Sequence, residues 1–155
     1  MHMKKYNIFT DKLVDFDTFV TDRLRTHNST SVSYGLTKAD MYDILDAAKV
    51  KYKKSVDWDT LFSVLLNNTD YDLRKLAHLK NIGVSSQDYQ REFGISHQEV
   101  KRLEKFGVLQ VVNTYRVRNY GKYLFVPLYD VCQFEDMTTE DMQQFLEKYP
   151  KGHKK

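Results

Sequence analysis

The chain has 155 residues, of which 41% are hydrophobic, 14% aromatic and 29% charged, and its formal net charge is +3. This aromatic content excludes a disordered chain, and the length allows one domain or two very small ones. The single cysteine, Cys132, excludes an intramolecular disulfide and favours a cytoplasmic location. The sequence has no long apolar run, which predicts that the protein does not bind a membrane.

The positive charge is concentrated in one part of the sequence. Residues 74–122 contain ten Lys or Arg and four Asp or Glu, so this segment carries +6. Residues 1–73 carry −1 and residues 123–155 carry −2. Such a basic segment is typical of a nucleic-acid-binding surface, although chance clustering on a solvated surface gives the same count.

Residues 1–80 are predicted to form a helical N-terminal unit. Apolar residues at helical spacing predict four helices. The first is capped by Asp11 or Asp15 and ends near His27, and the second is capped by Thr37. The third is capped by Ser55 or Asp57, and the fourth spans 71–80. Residues 35–40 repeat the order of residue types in 83–88, which makes a degenerate second helix-turn-helix an option. Helix starts also resemble each other for capping reasons alone.

Residues 81–135 are predicted to form a winged helix-turn-helix. Ser85 or Ser86 caps a first helix, and Gly94 permits a sharp turn because glycine adopts the left-handed conformation at low cost. Ser96, followed three residues later by Glu99, predicts a capping box for a second helix over 96–105. In this motif the second helix enters the major groove of DNA.

A β-hairpin is predicted after the second helix. The first strand is predicted over 110–118, where Val111, Tyr115 and Val117 are strand formers, and Asn and Gly predict a turn over 119–122. The chain returns over 123–126 before Pro127 ends the pairing, and the wing covers residues 115–123. A basic hairpin tip fits a wing that contacts phosphates or the minor groove. A hairpin that faces another protein is the alternative. Residues 136–155 are predicted to form a C-terminal helix and a basic tail.

The candidate DNA-binding residues are polar or basic side chains on the outer side of the second helix and on the hairpin. Gln pairs bidentately with adenine and Arg or Lys with guanine, while other cations neutralise phosphates. The predicted set is Ser96, His97, Gln98, Lys101, Arg102, Lys105, Arg116, Arg118, Tyr120 and Lys122.

No catalytic residue, metal site or cofactor is predicted, and an enzyme is not expected. The five histidines are scattered, and no glycine-rich phosphate loop is present. Cys132 lies among apolar residues and is interpreted as a core residue.

The segment around the two helices resembles the MerR and excisionase-like winged helix-turn-helix family. The similarity is carried by Phe93-Gly94-Ile95-Ser96, by residues 99–105, by Gly107-Val108-Leu109, and by residues 123–131, which end in Tyr129-Asp130-Val131. No long coiled coil or cysteine cluster accompanies it, so an effector-sensing activator is not expected. Small proteins of this kind include phage excisionases, phage or plasmid repressors and plasmid-transfer accessory proteins of the TraN type.

The sequence therefore predicts a mainly α protein with a small β-hairpin wing, with a tandem arrangement as an option. The predicted function is sequence-preferring binding of double-stranded DNA by a mobile-element protein, either a transcriptional regulator, an excisionase-like factor or a conjugation accessory factor. It would act as a monomer or homodimer. The alternative is a protein-interaction module, such as a phage-encoded inhibitor of a host protein.

Overall fold

A computed structural model describes residues 3–8, 12–25 and 35–150. Within these ranges the protein is mixed α/β, with eight helices and two small antiparallel sheets. The structure therefore contains more β-strand than the single hairpin of the predicted mainly α fold. None of the described helices combines the length and apolar composition that crossing a membrane requires.

Two short strands and four helices form the N-terminal part. The strands β1 (Tyr6–Asn7) and β2 (Leu13–Val14) pair antiparallel. The helices are α1 (Phe16–Leu24), α2 (Lys38–Ala47), α3 (Trp58–Asn68) and α4 (Leu73–Leu79). Each helix follows a side chain that accepts a hydrogen bond from a first-turn N–H, which satisfies a donor the helix leaves unpaired. These caps are Asp15, Thr37, Asp57 and Asp72.

The four predicted N-terminal helices are confirmed, with shorter bounds at two of them. Helix α1 ends at Leu24 because Arg25 adopts an extended conformation. The predicted end near His27 and the alternative cap Asp11 lie outside the described residues. Helix α4 begins later than predicted because Asp72 is itself extended and caps it.

The C-terminal part combines four helices with a three-stranded sheet. Its elements are β3 (Gly83–Val84), α5 (Ser86–Phe93), α6 (His97–Lys105), β4 (Val111–Asn119), β5 (Lys122–Asp130), α7 (Val131–Asp136) and α8 (Thr139–Lys148). The sheet order is β3-β5-β4, with antiparallel pairing throughout. Strand β3 was not predicted because two residues carry no periodic pattern. Gly83 allows its close approach to β5, since a Cβ there would lie 2.7 Å from Leu128 Cβ.

Strand β5 is longer than predicted, and Pro127 does not end its pairing. Pro127 lies opposite Thr114 in the β4–β5 register, and the pairing continues to Tyr129 opposite Val111. Strand β3 pairs only with Tyr129 and Asp130, so β5 has an open side at Pro127. A proline is tolerated where its nitrogen faces the open side of a strand, because no partner strand there would accept a hydrogen bond from an N–H group.

The core joins side chains from both parts of the chain. Tyr6 stacks on Phe19 with ring centroids 5.0 Å apart and meets Phe134 of α7 edge-on at 5.3 Å. Its hydroxyl donates a hydrogen bond to Glu135. Phe134 in turn contacts Tyr89 of α5 at 4.9 Å. This aromatic cluster crosses the predicted boundary near residue 80, and the division into separate units stays a prediction.

The predicted tandem arrangement also stays a prediction. Thr37 and Ser85 both cap helices through complete capping boxes, with Asp40 and Asp88 as the reciprocal partners. The connections that follow differ, because residues 48–57 join α2 to α3 whereas residues 94–96 join α5 to α6. The similarity of the two segments is therefore established only for their helix starts.

Candidate nucleic-acid interface

A tight turn at residues 94–96 sets the direction of α6. Gly94 is left-handed, with φ 65° and ψ 29°, and its N–H donates to Gln90 O at 2.9 Å. Ile95 is buried beneath the turn. The Ser96 hydroxyl accepts from Glu99 N–H, and the Glu99 carboxylate accepts from Ser96 N–H. The predicted turn and capping box are confirmed, and the hydroxyl of Ser96 is engaged in the cap.

Helix α6 is held against the body of the protein by its inner side. Val100 and Leu103 are fully buried there, as predicted. The Tyr129 hydroxyl, at the base of β5, donates to Glu104 Oε1 at 2.5 Å. Burial is the largest cause, and this hydrogen bond the second, that raises the pKa of Tyr129 well above its ordinary value. Because the phenol stays protonated, its hydrogen bond connects α6 to β5, the strand that continues into the hairpin.

The outer side of α6 is polar. His97, Gln98, Lys101 and Lys105 are exposed, as predicted. Arg102 is the exception, since its side chain is only 18% exposed. Its Nε is buried without a hydrogen-bond partner, and its guanidinium lies 3.8 Å from Glu99. The prediction that Arg102 faces outward is therefore wrong for most of its side chain. Arg102 lies at the border between the buried and the exposed sides of α6.

Acidic neighbours reduce the positive charge of α6. Lys101 Nζ lies 3.0 Å from Glu104 Oε1, three residues along the same helix. Arg102 lies beside Glu99 in the same spacing. Such pairs are weak at a surface, so they can open when a phosphate competes. The exposed polar side chains of the first turn of α6, His97 and Gln98, belong to neither of these ion pairs.

A hydrogen-bonded chain orients His97 at the start of α6. Gln90 Nε2 donates to Ser86 Oγ at 3.0 Å, and Ser86 Oγ lies 2.9 Å from His97 Nδ1. A hydroxyl that accepts from Gln90 retains its own proton, which it can donate to Nδ1. In that arrangement the second ring nitrogen of His97 carries a proton and acts as a donor. Ser86 was not predicted as a site residue because a buried serine in a helix gives no distinctive sequence signal.

The β4–β5 hairpin carries basic residues, and Asp130 at its base is its one acidic residue. Residues 111–129 contain Arg116, Arg118 and Lys122 and no Asp or Glu. All three cations are exposed, and Arg118 and Lys122 form no ion pair within the described ranges. Tyr120 at the tip is 98% exposed. The hairpin is therefore the most uniformly cationic element of the predicted basic segment.

The register gives the hairpin two different sides. Residues directly opposite each other point to the same side, and successive residues alternate. The pairs Tyr115–Val126 and Val117–Leu124 form one side, which is largely apolar. The pairs Arg116–Phe125 and Arg118–Tyr123 form the other. Phe125 was not predicted as a site residue, although a turn over 119–122 already implies this register.

A groove of about 680 Å³ lies elsewhere on the surface. Lys4, Asp15, Arg74 and Glu135 are among its lining residues. Two of its charged groups have partners, since Arg74 donates to Asp136 and Glu135 accepts from Tyr6. In the part of the chain that the structure describes, no group of three His, Cys, Asp or Glu side chains is placed to hold a metal ion.

No protein-family model, curated protein or solved structure matches the chain. The resemblance to the MerR and excisionase-like family therefore stays a prediction.

Proposed function

We propose that the protein binds double-stranded DNA as a winged helix-turn-helix, with α6 in the major groove and the β4–β5 hairpin as the wing. The observation that carries this proposal is the hairpin, where three exposed cations occupy a segment without a carboxylate. A polyanion is the partner that such a surface attracts. The tie between Tyr129 and Glu104 fixes the base of the hairpin relative to α6.

Base contacts are assigned to the exposed first turn of α6. Side chains at the start of a recognition helix usually reach base edges. Gln98 can contact adenine through both its amide atoms, and His97 presents one donor nitrogen when Ser86 donates to the other. Lys101 and Lys105 lie further along the exposed side and would contact phosphates once the surface pair with Glu104 opens. Sequence preference then depends chiefly on His97 and Gln98.

Phosphate contacts are assigned to the hairpin. Arg118 and Lys122 lie on either side of the turn, and Arg116 lies two residues before Arg118 on β4. Contacts to phosphates position a protein on the duplex without reading its sequence. The proposed biological setting is a mobile element, where the protein would act as a regulator, an excisionase-like factor or a transfer accessory.

Removal of one hairpin cation is expected to weaken binding to all duplexes alike. We expect Arg118→Ala to reduce the steepness of the log affinity against log salt plot by about 0.9, the value for one phosphate contact. The measurement is fluorescence anisotropy of labelled duplexes of different sequence over a series of salt concentrations.

Lys12→Ala is the matched control, because it removes one exposed cation beside β2, on a different element. This control is expected to leave the salt dependence unchanged. Equal effects of the two substitutions would show that general charge, and not the hairpin, determines affinity. Negligible affinity of the wild-type protein for any duplex at low salt would contradict DNA binding itself.

Protein interaction is the second candidate function, and one observation favours it. The apolar side of the hairpin leaves Val117 and Leu124 36% and 49% exposed. A protein partner could cover this side without contacting the cations. Under this alternative the duplex titration gives no binding, and Leu124→Ala weakens a complex with the partner protein.

A further inference from the structure

The cationic side of the hairpin carries aromatic rings that phosphate contact does not explain. Phe125 is 68% exposed and Tyr123 is 55% exposed. Both lie on the same side of the hairpin as Arg116 and Arg118, opposite which they pair. We call these four residues the arginine–aromatic face. A phenyl ring has no favourable contact with a phosphate, so Phe125 points to a further partner group.

We propose that the arginine–aromatic face binds an unpaired nucleic-acid strand by stacking bases on Phe125 and Tyr123. Aromatic rings beside a cationic surface are the common features of proteins that bind single strands. This inference goes beyond the proposed duplex binding and does not require α6 to enter a groove.

The spacing of the rings suits successive unpaired bases. Phe125 and Tyr123 are two residues apart on β5, which places their Cα atoms about 7 Å apart along the strand. Each ring can therefore receive a separate base. In a duplex the base faces are covered by their neighbours and only the edges are accessible, so flat stacking on these rings requires an unpaired strand.

The arginines complete the site by providing charge and a further planar surface. The Arg116 guanidinium lies 4.5 Å from the centroid of the Tyr123 ring, so the two groups already stack on each other. Arg118 is opposite Tyr123 in the register. Both arginines lie within reach of a backbone that follows β5, and their charge complements its phosphates.

Two other occupants fit this face less well. A second copy of the hairpin would bring four guanidinium groups together without a carboxylate between them, and like charges at such distances repel. An apolar protein surface would cover Phe125 but would also take both guanidinium charges out of water, and it offers no charged group to offset that cost. A polyanion with exposed flat rings satisfies the charge and the aromatic groups together.

The test compares binding of a fluorescein-labelled oligothymidine with binding of a duplex of the same length. We expect the wild-type protein to bind the oligothymidine, with an affinity that falls as salt rises. Phe125→Ala is expected to lower this affinity by about tenfold, within the range measured for loss of one stacked base. Phe125→Tyr keeps the ring and is expected to retain the affinity within about twofold.

Leu124→Ala is the matched control, because Leu124 is the next residue on the same strand and points to the opposite side. It is expected to leave oligothymidine binding unchanged. An equal loss in Leu124→Ala and Phe125→Ala, no effect of Phe125→Ala, or no binding of the wild-type protein would each overturn the assignment. Duplex binding without oligothymidine binding would overturn this inference alone, and the reverse result would overturn only the proposed duplex function.

Discussion

The backbone conformation of Tyr120 shows that the hairpin tip is not optimised for stability. Its φ of 51° is left-handed, and Gly121 follows with φ 77°. Positive φ at both central residues is typical of a two-residue hairpin turn, in which Asn-Gly is the preferred sequence. A tyrosine in this conformation costs about 1 kcal/mol or more, because its Cβ approaches the following carbonyl oxygen. The Tyr120 side chain is 98% exposed, so packing within the described part of the chain does not offset this cost.

Tyr120→Asn is therefore expected to stabilise the hairpin. Asparagine accepts the left-handed conformation more easily, so opening of the hairpin should become less favourable by about 1 kcal/mol. Amide hydrogen exchange of Val117 and Lys122, which belong to hydrogen-bonded pairs of the hairpin register, measures this change by NMR as slower exchange. Tyr120→Phe is the control, because it has the same strain as tyrosine and should exchange like the wild type. Equal protection in the two variants would contradict the strain.

Acidic caps make the stability of two helices depend on pH. Hydrogen bonds from Thr18 lower the pKa of Asp15 below its ordinary value of 3.8, and those from Thr60 do the same for the pKa of Asp57. Since the folded state binds protons less readily than the unfolded state, these carboxylates stabilise the fold above pH 3.8. This stabilisation is lost as the pH falls through the lower folded-state pKa.

We expect the temperature of thermal unfolding to fall on acidification below about pH 4. The double variant Asp15→Asn, Asp57→Asn should show a smaller fall, because asparagine caps a helix but does not titrate in this range. Calorimetry over a pH series measures the difference. Identical pH profiles for the wild-type protein and the double variant would show that these caps do not contribute to the acid sensitivity.

Capped helices were the elements that the sequence predicted best. Thr37 caps its helix as predicted, and Ser96 forms the predicted capping box with Glu99. The reason is local, since a cap depends on residues within one turn of helix. The Gly94 turn and the buried positions Val100 and Leu103 follow from equally short-range patterns.

Features that depend on distant parts of the chain were less predictable. The extent of β5 past Pro127 depends on where β3 leaves it open, and the covered position of Arg102 depends on how α6 packs. The Ser86–His97 contact joins two helices across a turn. The two sides of the hairpin were implied by the turn position, yet the exposure of Phe125 required the structure. DNA binding, the family resemblance and the cytoplasmic location stay predictions.

The aromatic cluster around Phe134 bears on whether the whole molecule unfolds as one unit. Phe134 contacts Tyr6 from the N-terminal part and Tyr89 from α5. Trp58, the single tryptophan, lies on α3 and stacks on Phe62, so its fluorescence reports on the N-terminal part. If the core couples both parts, a change at Phe134 must be detected at Trp58.

Phe134→Ala is expected to reduce the free energy of unfolding by about 3–5 kcal/mol, as for other buried aromatic truncations. In urea, Trp58 fluorescence and far-ultraviolet circular dichroism should move to the same lower midpoint. Phe125→Ala, at an exposed ring, should leave both midpoints in place. A Trp58 transition that does not move while the circular dichroism transition does would support separately folding units with a boundary near residue 80.

The hairpin also has a consequence for the solubility of the protein. Strand β4 is the outermost strand of its sheet, and β5 has an open side beyond the two residues that β3 covers. Open strand edges next to apolar side chains invite pairing with another chain, and exposed cations prevent it. The charges that we assign to phosphate recognition thus also keep two unoccupied hairpins apart, and a bound polyanion that neutralised them would allow neighbouring molecules to assemble side by side along it.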